Sequence, residues 1–240
     1  MKLEEVRRML EECEMSIIYY TVERSKHYIS RDIYEKDNKF ITLFEKNELI
    51  HSIYERYQNP VEYPFTTVTT IKKINHYKYP LSSFLSSDPN IININYNNII
   101  LKNYTKILDN INVIDVNLNK YDNLEICNVN TIDINLLQII SKRCHLGKVV
   151  AEIKYRNDKD LYDKSNRKEM YKHLTNLNVE NKILERVKGK TENYLSGCCL
   201  EFDNCEKIPN IITMIFKNII IPITKEIQLD YLELRKNINR

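Results

Sequence analysis

Apolar residues fall at positions 3, 6, 10, 13, 17, 18 and 21/22 of LEEVRRMLEECEMSIIYYTVERS, the spacing of one face of a helix over residues 3–25. Residues 40–57 repeat the pattern more loosely and stop near Asn59-Pro60, since a residue before proline is pushed out of helical backbone. Residues 59–98 carry Pro60, Pro64, Pro80 and Pro89 and read as long loops. A further helical face follows at 98–111, made by Ile99/Ile100, Tyr104, Ile107/Leu108 and Ile111.

Residues 131–156 predict the longest apolar helix, with Thr131 as N-cap and Asp133 and Asn135 in the first turn. Its apolar residues occupy more than one face, so it belongs at the centre of the fold. Helices at 167–190 and 209–237 complete the pattern, and Pro222 divides the last into two pieces. The stretch INVIDVNLN alternates with a period of two, which alone is a strand signal. It lacks a partner strand of similar quality, so the expected class is all-α: one elongated multi-helix domain over 1–240, with long loops between about 59 and 98.

Composition sharpens this. Three glycines among 240 residues leave little for tight β-turns and nothing for a Gly-rich phosphate loop. The net charge of +3 comes from interspersed charges of both signs, which argues against a nucleic-acid binder. IPNIITMIFKNIIIPI, at 208–223, is too short to span a bilayer, so no membrane association is expected. Six cysteines without a secreted framework or a leader imply a reduced, cytoplasmic protein. Cys198, Cys199 and Cys205 have no second ligand pair or nearby histidine in sequence, so no metal is expected there.

Candidate chemistry lies in SKRCHLGKVVAEIKY, residues 141–155. Eleven residues separate Arg143 from Lys154, which on one helix puts them about 20° apart around the axis and about 16 Å apart along it. Gly147, Val150 and Ala151 share that strip, giving a shallow uncharged groove with a cation at each end. Asn176 and Glu180 are four apart and flanked by apolar residues, as are Thr224 and Gln228. Singly, such residues are usually a solvated face; together they suggest a site.

This combination resembles the fungal-type chorismate mutases, the all-helical AroQ class. VRRMLEECEMSIIYYTVERS, LIHSIYERYQNPVEYPF, ISKRCHLGKVVAEIKY, LTNLNVENKILERV and NIIIPITKEIQLDYLELR carry the likeness, which covers most of the chain. The resemblance implies rearrangement of chorismate to prephenate, on the route to phenylalanine and tyrosine, with neither cofactor nor metal. That step is intramolecular and pericyclic, so the protein must hold a flexible dianion in its compact conformer and stabilise charge appearing on the ether oxygen. A millionfold acceleration needs about 8 kcal/mol, within reach of a few charge-assisted contacts and conformational restriction.

By the same resemblance, Arg7 and Arg143 grip the substrate carboxylates, Lys154 donates to the ether oxygen and a carboxylate, and Val150 lines the groove. Asn176 and Glu180 supply contacts to carboxylate and ring hydroxyl, and Thr224 touches the substrate. Lys154, Gln228, Arg143 and Glu180 form the expected catalytic set. Gln228 stands where fungal relatives carry glutamate and some bacterial members glutamine. Gly147 and Ala151 are expected to leave the dianion room.

The resemblance also implies a homodimer with an intersubunit site for tyrosine or tryptophan, in regions around 45–65 and 124–135. Arg56, Asn128 and Thr131 fall on it. The family's arginine pair here reads Glu55-Arg56 and its Gly-Ser loop reads Cys127-Asn128, which predicts a weakened grip on effectors. The alternative reading is an inactive helical homologue serving as an interaction module. It predicts loss of Arg7, Arg143, Lys154 or Glu180, all of which are present.

Overall fold

The computed structural model describes residues 1–27, 63, 65, 84–86, 88–111, 123–197 and 205–238, and the regular structure among them is helical. The expected helix at 40–57, Arg56, the bulk of the alternating stretch after Ile111, and Cys198 and Cys199 lie outside the described residues. No described helix is long and apolar enough to cross a membrane.

Helix α1 spans Leu3–Ser25, and Glu5 caps its start by accepting the Lys2 N–H at 2.9 Å. Its buried stripe of Val6, Cys13, Ile17, Ile18 and Val22 matches the apolar spacing of the sequence. A short α2 (Pro89–Ile92), opened by Asp88 accepting from Asn90 N–H, precedes α3 (Asn97–Ile111), which buries Ile100, Tyr104, Leu108 and Ile111.

Helix α4 runs Asn123–His145 and α5 runs Gly147–Asn157. The single helix expected from Thr131 therefore begins earlier and is interrupted at Leu146. Thr131 is not an N-cap; its hydroxyl donates to the Cys127 carbonyl inside α4. Asp133, expected in the first turn, lies inside α4 and is wholly buried: Arg24 Nε donates to its Oδ1 at 2.8 Å and the Tyr104 hydroxyl donates to the same oxygen. This group ties α1, α3 and α4, and a buried carboxylate needs such donors.

After α6 (Lys159–Lys164), the helix expected over 167–190 is two: α7 (Arg167–Leu174) and α8 (Leu177–Gly197). Thr175 adopts an extended backbone, and Asn176 caps α8 by accepting from the Val179 N–H at 3.2 Å. α7 carries its own capping box between Asn166 and Glu169.

The C-terminal segment is helical throughout but changes gauge. α9 (Ile208–Ile215) passes into a π-helical segment, Phe216–Ile220, and then α10 (Ile221–Ile238). Pro222 sits at the second residue of α10, where its missing N–H and its ring would break an ordinary α-helical ladder. The Ile221 N–H bonds instead to the Phe216 carbonyl, five residues back, and the wider turn passes the proline without a break.

α1 packs along α4, α5 lies along α10, and α8 lies against α9. Phe216, Ile220, Ile227 and Tyr231 of the C-terminal segment join Leu136, Leu137 and Ile140 of α4 in the core. Each such side chain contributes about 1.5–3 kcal/mol by burial. Lys148 is also wholly inside, donating to the Tyr63 hydroxyl and to the Ile91 and Ile92 carbonyls at 3.0 and 3.2 Å. Beside it, the neutral ring of His145 accepts from the Tyr96 N–H and donates to the Ser141 carbonyl.

Candidate active site

Arg143, on the last turn of α4, is 5% exposed, and its Nε–H has no hydrogen-bond partner among the described residues. Its Nη2 lies 3.9 Å from Oε1 of Glu14 on α1. Glu14 is fully buried and already held by two cations of α8, Arg186 at 2.6 Å and Lys190 at 3.1 Å. Arg186 also reaches Glu11, at 3.5 Å. Burial pulls the Arg143 guanidinium below its ordinary value, and Glu14 works against that shift.

Three cations here share two carboxylates. Of these only Arg143 and Glu14 are buried, and the incompletely paired guanidinium of Arg143 favours a bound anion, because an unpaired buried charge is costly. Cys13 stands beside Arg143, and burial raises its thiol despite that neighbour. It is therefore a packing residue rather than a nucleophile.

Gly147 opens α5 against α10. A Cβ built there would meet Thr224 Cγ2 and the Thr224 carbonyl, each at 3.1 Å, and Gln228 Cγ at 3.5 Å. This corrects the expectation that Gly147 leaves space for a ligand: the missing side chain admits α10 itself. Its effect on the site is indirect, since that approach sets Thr224 and Gln228 against the α4–α5 junction. The Thr224 hydroxyl donates to the Ile220 carbonyl at 2.6 Å. Gln228 is 8% exposed and makes no hydrogen bond to a described residue.

Lys154 is half-buried on α5, with no ion pair to a described residue, and desolvation lowers its pKa. Val150 is half-buried and Ala151 fully buried. Glu180, in the first turn of α8, is half-buried and pairs with Lys225 of α10 at 2.8 Å. Asn176 is exposed and caps α8, and its carbonyl accepts from the Glu180 N–H at 3.0 Å one turn on. Arg7 is exposed on α1, without an ion pair to any described residue. Asn128 and Thr131 are exposed on α4.

Contacts among the described residues thus link Gly147 with Thr224 and Gln228, Asn176 with Glu180, and Glu180 with α10; they do not draw in Arg7 or Lys154. Glu14, Arg186, Lys190 and Lys225 were missed in the sequence. Two signals pointed to the first three: a glutamate on the apolar stripe of α1, and two cations four residues apart on α8.

The described residues thus form a helical fold with one buried, incompletely paired arginine, Arg143, beside an ion cluster. The chorismate mutase type II family model matches residues 128–229. A chorismate mutase of Saccharomyces cerevisiae is 32% identical, over 97% of this chain and 94% of its own length. One from Pichia angusta is 35% identical, over 95% and 85%. Among solved structures, the Aro7p chorismate mutase of Candida albicans, in complex with L-Trp, superposes with a TM-score of 0.81. It is 31% identical, and the match covers 100% of this chain and 93% of that one. The chain belongs to the chorismate mutase family.

Proposed function

We propose that this chorismate mutase, an isomerase, rearranges chorismate to prephenate in the groove bordered by α1, α4, α5, α8 and α10. The observation that carries the assignment is the positive surplus around Arg143: a buried guanidinium with a free N–H beside a glutamate already claimed by Arg186 and Lys190. A substrate carboxylate completes that cluster, and Arg7 takes the second from α1. Bidentate arginine geometry suits both.

Lys154 and Gln228 donate to the ether oxygen, where charge grows as the C–O bond breaks. Such donors count for more in a dry groove than in water. Glu180 accepts from the ring hydroxyl, while Asn176, Thr224 and Val150 complete the lining. No proton is transferred and no covalent intermediate forms, so the chemistry calls for neither metal nor cofactor. The test is loss of chorismate absorbance on adding purified protein, with prephenate identified as product. An absent reaction would refute the reading.

A single domain spans 1–240 and works as a homodimer, because so many long apolar helices need more burial than one copy supplies. A monomeric mass at micromolar concentration would contradict that. Free thiols at Cys13, Cys127, Cys144 and Cys205 support a reduced, cytoplasmic setting. An effector site for tyrosine or tryptophan includes Arg56, Asn128 and Thr131, and Glu55 weakens its grip on an amino-acid carboxylate. Steep inhibition by tyrosine, abolished in Arg56→Ala, would overturn the weakened reading.

A further inference from the structure

Lys225 follows Thr224 on α10, and its ammonium crosses to the first turn of α8, 2.8 Å from Glu180 Oε1. The same ammonium lies 5.5 Å from the ring centroid of Tyr171 on α7. The two charged side chains are only 14% and 19% exposed. One cation therefore ties α7, α8 and α10 together beside the groove. Free glutamate side chains sample several rotamers, and holding one costs conformational entropy. Here that cost is met before any ligand arrives, by an ion pair and an aromatic face. The N-terminal end of α8, capped by Asn176, favours the anion as well.

We propose that Lys225 is a positioning residue for the rearrangement: its charge, 2.8 Å away, holds the Glu180 carboxylate in place, while Oε1, buried and without a hydrogen-bond donor among the described residues, remains open to the substrate's ring hydroxyl. The proposal rests on the groove assignment above. Lys225 touches Glu180 and not the substrate. Its removal therefore frees a carboxylate that still exists but no longer points one way. A pair this sheltered could also serve packing alone, and a purely structural role would then lower the melting temperature and leave the kcat of the folded enzyme unchanged. A clamp reverses that expectation, with a small effect on melting and a clear one on rate, since misplaced catalytic contacts are costly.

The experiment compares wild type, Lys225→Met, Lys225→Arg, Glu180→Gln and the Lys225→Met/Glu180→Gln double variant for chorismate turnover and thermal melting. Lys225→Met is expected to lower kcat about tenfold, with a smaller change in KM and a melting temperature within a few degrees of wild type. Lys225→Arg, which can still reach Glu180, is expected to restore most of the rate. The double variant is expected to be no slower than Glu180→Gln alone, because residues acting through one another are non-additive. Multiplicative losses would overturn the clamp by showing that Lys225 acts independently, as would a Lys225→Met enzyme at full kcat. A Lys225→Met chain that loses its helical circular dichroism would overturn it too, by making the pair structural. An inactive wild type would refute the groove assignment and the clamp with it; active wild type with unaffected variants refutes the clamp alone.

Discussion

Arg143 and Glu14 lie 3.9 Å apart, close enough to attract but too far for the hydrogen bond that Arg186 makes to the same carboxylate at 2.6 Å. Glu14 thus neutralises Arg143 only in part. Replacing it with glutamine removes the anion that three cations share. The Glu14→Gln variant is expected to unfold about 3 kcal/mol more easily, the scale of breaking a buried pair. Saturating prephenate should then raise its melting temperature by more than it raises wild type's, because the ligand supplies the missing charge. Equal shifts in the two proteins would show that Glu14 and the ligand do not compete for Arg143.

Lys154→Ala is expected to lose at least about a hundredfold in kcat, since a contact that strengthens as the ether bond breaks acts on the transition state. Steady-state kinetics on chorismate decide the matter. A rise in KM at constant kcat would assign Lys154 to ground-state binding instead.

Gln228 gives the groove a donor that does not titrate. Chorismate kcat/KM is expected to stay nearly flat from about pH 5 to 8, given reference pKa values near 4 for carboxylates and above 10 for lysine. Burial lowers Lys154 from its ordinary value, but two substrate carboxylates favour its cation when the groove is filled. Gln228→Glu is expected to keep acid-side activity and lose it as pH climbs past the introduced carboxyl's pKa, where the donor becomes an acceptor. Superimposable profiles for the two proteins would remove Gln228 from the ether oxygen.

Lys148 yields a stability prediction of opposite sign to a salt-bridged lysine. Burial holds its amine down to about 7 in the folded protein. The unfolded chain keeps that proton up to about pH 10.4. Across the window from 7 upward the unfolded state binds more protons, so stability gains with rising pH, and below 7 the gain is absent. Measured by urea unfolding, the advantage of wild type over Lys148→Met should grow between pH 7 and 9 by up to about 1.4 kcal/mol per unit. A difference that ignores pH would mean that Lys148 stays charged inside the fold.

What the sequence revealed follows the reach of its signals. Helical faces are local, so the stripes of α1 and α3 could be read from spacing alone. The break at Thr175–Asn176 was missed because apolar spacing runs straight through it, and only a capping asparagine marks the new start. Thr131 was misread as a cap because threonine is a common helix starter, whereas α4 already runs through it and Val129 before it is buried. The roles of Arg143, Lys154, Glu180 and Gln228 came from motif likeness. The ion cluster did not, since Glu14 and Arg186 stand 172 residues apart and no periodicity records a pairing over that distance. Gly147 was assigned an open space when its neighbour is a helix, a fact that depends on where α10 lies.

The π-helical segment at Phe216–Ile220 has a bearing on how this groove tolerates change. One residue more than an α-helix requires is lodged in that turn, and everything after it is phased accordingly. Deleting a single residue there would rotate the remainder of the helix by about 100° relative to α9. Ile223, Ile227 and Tyr231 would leave the interior, and Thr224, Lys225 and Gln228 would all swing away at once. The segment therefore acts as a phase setting for the whole C-terminal arm. Substitutions at its exposed Lys217 and Asn218 should be absorbed, whereas a change in its length would abolish packing and catalysis together.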